Sequence, residues 1–204
     1  NTTITKHNID ELPKILELAI KLGAVAYHPF LLVPTGRAAN MADQEISPDD
    51  YEETLTWFYN QRDKVPIQFK PTCAPHYYRI FREHERKKGH SVTPQTHGLD
   101  AMTKGCMGGQ SFAFVSHQGK VQICGFLETE CGDIRKEPFS RIWDTSKVFL
   151  EMRALDDYHG RCGVCEYRKV CGGCRARAFA STGHYLDEEP YCTYQPKLAQ
   201  TAKG

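Results

Sequence analysis

Long apolar runs are missing from this chain of 204 residues. The longest, Phe30 to Pro34, falls well short of the roughly 18–20 residues that cross a bilayer, so no membrane span is expected. The opening stretch, Asn1 to Asp10, has neither the basic nor the apolar segment of a secretory signal. A cytoplasmic location is the expectation. Net charge is nearly absent too. Lys and Arg number 26 against 25 Asp and Glu, leaving +1, and so weak a field gives no drive toward nucleic acid or an anionic membrane. Cysteine is missing from the first 72 residues. What remains is ordinary: 40% apolar and 25% charged residues, enough for one domain core or two small ones.

After that cysteine-poor start the thiols crowd together, eight of the nine between residues 106 and 192. Spread over so long a chain, an odd number of thiols makes a poor disulfide scaffold, and in a reducing compartment clustered thiols point to metal ligands. The stretch "CGVCEYRKVCGGC" carries Cys162, Cys165, Cys171 and Cys174 as C-x2-C-x5-C-x2-C, and Cys192 follows after seventeen residues. Upstream, Cys106 and Cys124 frame C-x12-G-x4-C. Two readings are open on these residues. A zinc ion held by the four tandem thiols would make a closed structural cage, leaving Cys106, Cys124 and Cys192 without a task. Two iron–sulfur clusters would employ eight of the nine thiols.

The rest of the chain places these thiols. "NTTIT" reads as a buried strand, "DELPKILELAIKLG" as a helix with Asp10 at its cap and Leu12, Ile15, Leu16, Ala19 and Leu22 along one stripe, and "AVAYHPFLLVP" as a second strand. Strand, helix and strand without polar alternation mark a parallel βαβ unit. Residues 35–46 read as loop, Ser47 onward as a helix, "PIQFKPT" as a short strand, "APHYYRIFREHERKKG" as a charged helix, and residues 90–104 as a polar, mobile segment. "SFAFVSHQGKVQICG" predicts a hairpin turning at Gly119, with Val121 and Ile123 on one face and Cys124 on the other. "PFSRIWDTSKVFLEMR" predicts helical turns, and Arg175 to Ser181 a short helix ended by Gly183.

The seven-cysteine pattern resembles the SPASM domain, the auxiliary-cluster region of many radical S-adenosylmethionine enzymes. One departure is that two residues, Gly172 and Gly173, stand before the fourth tandem cysteine where most members have three. The run from Cys162 to Cys192, with "LVPTGRA" and "PTCAPHYYRI", resembles the branch that works on heme precursors, the heme synthases of the siroheme-dependent pathway. The fold this implies is α/β plus α+β. The last βα units of a partial (β/α) barrel and a linker helix would occupy residues 1–70, and a SPASM domain residues 71–204, with a β-hairpin, short helices and two cluster-binding loops. The resemblance also implies two auxiliary [4Fe–4S] clusters. One would be held by Cys162, Cys165, Cys171 and Cys192, the other by Cys174, Cys106, Cys124 and Cys73, with Cys131 as an alternative to Cys73. Glycines 172 and 173 are permissive backbone that would let Cys174 turn away from Cys171.

The C-x3-C-x2-C motif that holds the S-adenosylmethionine cluster in this family is not in the sequence. That cofactor and its own [4Fe–4S] cluster are therefore expected in a preceding part of a longer protein, and the chain alone is expected to be inactive. For the whole enzyme the resemblance implies oxidative decarboxylation of the propionates of iron-coproporphyrin III to vinyl groups, with the auxiliary clusters relaying an electron toward a ferredoxin or flavodoxin. Related radical enzymes of d-type heme synthesis or of peptide maturation are the neighbouring possibilities. Porphyrin propionates call for cations, with Arg79, Arg175 and Arg177 as candidates. Val33 and Pro34, at the end of a strand, are candidates for lining the cofactor pocket.

Overall fold

Branched side chains at Thr2, Thr3 and Ile4 favour extended backbone, and they form β1 (Thr2–Ile4) in a computed structural model that describes residues 1–201. A 3-10 turn over Ile9–Glu11 leads into α1 (Leu12–Lys21), with Pro13 in the first turn, where its missing N–H is harmless. Leu12 and Leu16 are buried, while Leu22, just past the last helical residue, is 75% exposed. The single strand expected next is split at His28. Its halves are β2 (Ala26–Tyr27), which pairs in parallel with β4 (Gln68–Phe69), and β3 (Pro29–Leu31), which pairs in parallel with β1. Parallel pairing across helical crossovers is the expected βα pattern.

Between these strands runs α2 (Pro48–Gln61). It starts at a reciprocal cap: the Asp50 N–H donates to Ser47 Oγ at 3.1 Å, and the Ser47 N–H to the Asp50 carboxylate at 3.4 Å. After Cys73 comes α3 (His76–Lys87), and its Ile80 and Phe81 join Ile4, Leu31, Leu55 and Phe58 in one core. The first compact unit runs Asn1–Gly105 and takes in the strap Tyr191–Tyr194. Two segments read as irregular carry local order. Residues Gly36–Gln44 form 3-10 turns broken at Met41, and α4 (Pro94–Met102), kinked at Gly98, starts at a Thr93–Thr96 cap.

One buried carboxylate organises the outer side of α3. Glu85, 2% exposed, accepts hydrogen bonds from the Tyr59 hydroxyl, His90 Nδ1 at 2.8 Å, His97 Nε2 at 3.1 Å and Arg62 Nη2 at 3.2 Å. Burial alone would raise its pKa, but the hydrogen bonds of Tyr59, His90 and His97, with the charge of Lys88, hold it well below the usual carboxylate range. A depressed pKa contributes stability above the unfolded value, about 4.3, that is lost as pH falls below it. The first unit should thus weaken on acidification from pH 7 to pH 4. Glu85→Gln, already without the charge, should weaken less over that interval. Denaturant midpoints of both proteins at the two pH values check this, and equal losses would reject it.

The second unit comprises Cys106–Pro190 with the segment from Gln195. Its sheet is antiparallel: β5 (Phe114–Val115), β6 (Lys120–Cys124) and β7 (Leu127–Asp133), with Gly119 at φ 80° turning the first hairpin. Val121 and Ile123 point inward as expected, and Leu127 joins them. Two short helices, α5 (Phe139–Thr145) and α6 (Lys147–Arg153), add Ile142, Phe149 and Met152 to that core. The thiol-bearing segment follows with α7 (Gly160–Val164) and α8 (Arg175–Thr182), which ends at Gly183. No helix among the described residues is long and apolar enough to cross a membrane.

Candidate metal centre

Three sulfurs of the tandem run receive backbone N–H groups. The Tyr167 N–H points at Cys165 Sγ at 3.4 Å, the Gly173 N–H at Cys171 Sγ at 3.5 Å, and the Glu189 N–H at Cys162 Sγ at 3.4 Å. An N–H aimed at sulfur favours the thiolate, the form that binds metal. In two of the three the donor lies two residues after the cysteine, as a tight metal-binding loop would place it.

The turn between Cys171 and Cys174 depends on its glycines. Gly172 and Gly173 have φ of 72° and 61°, a region that side chains resist. A Cβ on Gly173 would also lie 2.4 Å from Arg175 Nη2, 2.9 Å from Glu189 Cβ and 3.4 Å from Cys162 Sγ. The same turn ties in the upstream cysteines, because the Cys106 N–H donates to the Cys171 carbonyl at 3.0 Å.

A different set gathers around Cys106. Burial pushes the Cys124 thiol up to about 11, with the neighbouring Cys106 adding to it. Burial likewise pushes Cys174 up to about 12; Arg177 opposes this, and Glu189 and Cys106 reinforce it. Such thiols give up their protons when a metal cation takes the proton's place. Cys131 on β7 keeps other company. Its S–H donates to the Thr129 carbonyl at 3.7 Å, and burial lifts it to about 12, Ser146 opposing and Glu130 reinforcing.

Cys73 and Cys192 belong to the first unit. Cys73 is held at φ 53°, the one non-glycine residue with positive φ among those described, and its carbonyl accepts the Tyr51 hydroxyl at 3.3 Å. Backbone held in a sparsely populated region is a recurrent mark of functional positions. Cys192 lies in the strap, close enough to Arg79 for its charge to act there. Val33 is buried where the chain leaves β3, its carbonyl accepting the Thr35 N–H at 2.8 Å, and Pro34 is half-buried beside it.

The three arginines expected to meet propionates have other work. Arg79, 3% exposed, is paired with Glu52 and, at 2.7 Å, with Glu83. Arg177, 1% exposed, pairs with the equally buried Glu189 at 3.2 Å. Arg175 is fully buried, its Nη1 donating to the carbonyls of Tyr185 at 3.0 Å and Asp187 at 2.7 Å. Each of these guanidiniums therefore has partners within its own unit.

The partner that the sequence hid is Glu189. Its carboxylate accepts the Cys174 N–H at 2.6 Å as well as the Arg177 bonds, yet "DEEPYC" reads as an exposed acidic run. Nearby, His159, His184 and Asp187 bring donor atoms within 4.8 Å of one another. The two rings stack at 5.0 Å and 25°, so their in-plane lone pairs run side by side instead of converging on an ion.

Soft sulfur donors, N–H groups aimed at sulfur and a buried cation beside Cys162 suit an anionic metal–thiolate centre, and sulfur-rich sites of this kind select zinc or iron–sulfur clusters. Comparison with known proteins decides between them. Residues 106–175 match the SPASM family, described as an iron–sulfur cluster-binding domain, and the match starts where the second unit starts, not near residue 71. The chain is 53% identical to the AdoMet-dependent heme synthase of Nitratidesulfovibrio vulgaris over 97% of its own length and 54% of that protein. It is 54% identical to that of Methanosarcina barkeri over 96% of its length and 56% of that protein. It thus spans about half the length of these curated relatives. In fold it is similar to a solved structure of native anSMEcpe with bound AdoMet and Kp18Cys peptide, with a TM-score of 0.56 at 16% identity over 93% of this chain and 51% of that one. Residues 106–175 thus match the SPASM iron–sulfur cluster-binding domain, in a chain that is similar along nearly its whole length to AdoMet-dependent heme synthases.

Proposed function

We propose that this chain supplies the auxiliary iron–sulfur centres of a radical S-adenosylmethionine enzyme that oxidatively decarboxylates two propionates of iron-coproporphyrin III to vinyl groups. The observation that carries the reading is identity above 50% with heme synthases across nearly the whole chain. Cys162, Cys165 and Cys171, each receiving an N–H, would hold one [4Fe–4S] cluster together with Cys192. Cys174, Cys106 and Cys124 would hold the other together with Cys73, whose left-handed backbone and single-residue strain favour it over Cys131.

Each turnover removes a hydrogen atom from a propionate β-carbon, releases carbon dioxide, leaves a vinyl group and frees one electron; the clusters would accept that electron and hand it on to a ferredoxin or flavodoxin. The residues of this chain fix where the acceptor sits. The N–H groups of Tyr167, Gly173 and Glu189 stabilise ligand charge, and the Arg177–Glu189 pair seats Cys174 from behind. Arg79, Arg175 and Arg177 remain proposed as the cations that meet the propionates, Arg79 and Arg177 already carrying ion pairs within this chain. Val33 and Pro34 remain proposed for the wall of the S-adenosylmethionine pocket, and the cytoplasm as the compartment.

The test is anaerobic. The intact protein should be brown, absorb broadly near ~400 nm and carry about eight iron and eight sulfide beyond those of the S-adenosylmethionine cluster. Given S-adenosylmethionine, a reductant and iron-coproporphyrin III, it should release two carbon dioxide per porphyrin converted. A colourless zinc protein defeats the cofactor assignment. A fully loaded protein that leaves this porphyrin untouched defeats the substrate assignment.

A further inference from the structure

Arg175 is a buried cation lacking a carboxylate. It is 0% exposed, and among the described residues no acidic side chain forms an ion pair with it. Its guanidinium is surrounded by two carbonyl oxygens, of Tyr185 and Asp187, and by the face of Tyr158 with the ring centroid at 4.7 Å. The remaining contact is Nη2 to Cys162 Sγ at 3.5 Å. Glu189, the buried carboxylate of this region, is occupied by Arg177 and the Cys174 N–H. A lone charge without a counter-ion is among the most costly things to bury. Carbonyl dipoles and an aromatic face soften that cost but do not neutralise the charge. Among the described residues, the Cys162 sulfur is the group able to become an anion that the Arg175 N–H groups meet directly, with Cys106 and Glu189 acting on Arg175 from farther off. The glycine at 173 serves the same contact, since a Cβ there would strike Arg175 Nη2 at 2.4 Å.

We propose that Arg175 is the counter-cation of the metal–thiolate centre held through Cys162, and that its charged hydrogen bond to that sulfur raises the centre's reduction potential. This rests on the cluster reading above and names a positioning residue within it. Reduction adds negative charge to a centre that is already anionic. A fixed cation at a ligand sulfur favours the reduced form, and removing it favours the oxidised form.

The experiment compares Arg175→Lys and Arg175→Met in the intact, anaerobically reconstituted protein, by iron content and by EPR-monitored redox titration. The methionine variant should move one midpoint to more negative potential by at least tenfold in the reduction equilibrium, about 59 mV for one electron, with the other midpoints in place. The lysine variant should recover most of that shift. Should methionine cost the protein its iron, recovery of iron by lysine carries the same conclusion, because the charge is what was restored. Unchanged midpoints in a fully loaded methionine variant overturn the proposal, as does a lysine variant that matches the methionine one in iron and potential alike. Zinc without iron in the unaltered protein is a separate result: it removes the cluster reading, and this proposal with it.

Discussion

Replacing Glu189 with glutamine is expected to destabilise the α8 region by about 3–5 kcal/mol, the usual cost of stranding one member of a buried ion pair. Arg177 would keep its charge at 1% exposure without the carboxylate that answers it. The amide would also turn an N–H₂ toward donors, because both Arg177 Nη1 and the Cys174 N–H point at this group. Hydrogen exchange of the α8 amides in the intact protein should speed up by a hundredfold or more wherever local opening governs it. Arg177→Met combined with Glu189→Leu should recover part of the loss, since both charges go together while the Cys174 N–H loses its acceptor. Unaltered exchange in the single variant would mean that the pair is incidental.

The second large effect concerns the two cysteines on either side of Gly172–Gly173. Under the proposed division of ligands, Cys171→Ala and Cys174→Ala should each cost about four iron per chain, and together about eight, because each would remove a ligand from a different cluster. A single shared site gives the opposite result, with the double variant losing no more than either single one. Iron and sulfide counts on the three proteins settle it. The expectation follows from the surroundings of the two sulfurs. Cys171 takes an N–H from Gly173 within its own loop, whereas Cys174 sits in full burial within the electrostatic reach of Cys106.

Much of this was legible in the sequence, for identifiable reasons. Spacing exposed the thiol framework, because metal ligation constrains sequence as few other features do. The start of α2 showed at Ser47 and the β5–β6 hairpin at its turn glycine. By contrast, α1 begins after Glu11 with no side-chain cap instead of at Asp10, and Leu22 of its expected stripe is exposed. Elements set by partners were harder to see. β7, "LETECGD", has little apolar content and is a strand because β6 offers it an edge. The charge of α3 hid its inner face, where Ile80 and Phe81 join the first core. The burial of Arg175 and Arg177 was out of sight because sequence shows charge without showing burial. Glu189, which decides where Arg177 goes, resembled surface acid for the same reason.

The bond from the Cys106 amide to the Cys171 carbonyl has a bearing on biogenesis. It joins points far apart in sequence, so the upstream and tandem cysteines are apart on a nascent chain and come together only when long-range contacts close. Arg175, Arg177 and Glu189, which lock the thiols in place, are made later still. Iron delivered during translation would find isolated thiols with no cradle. A cradle that joins the two groups of thiols thus exists only once residues 106 to 189 have been made and brought together.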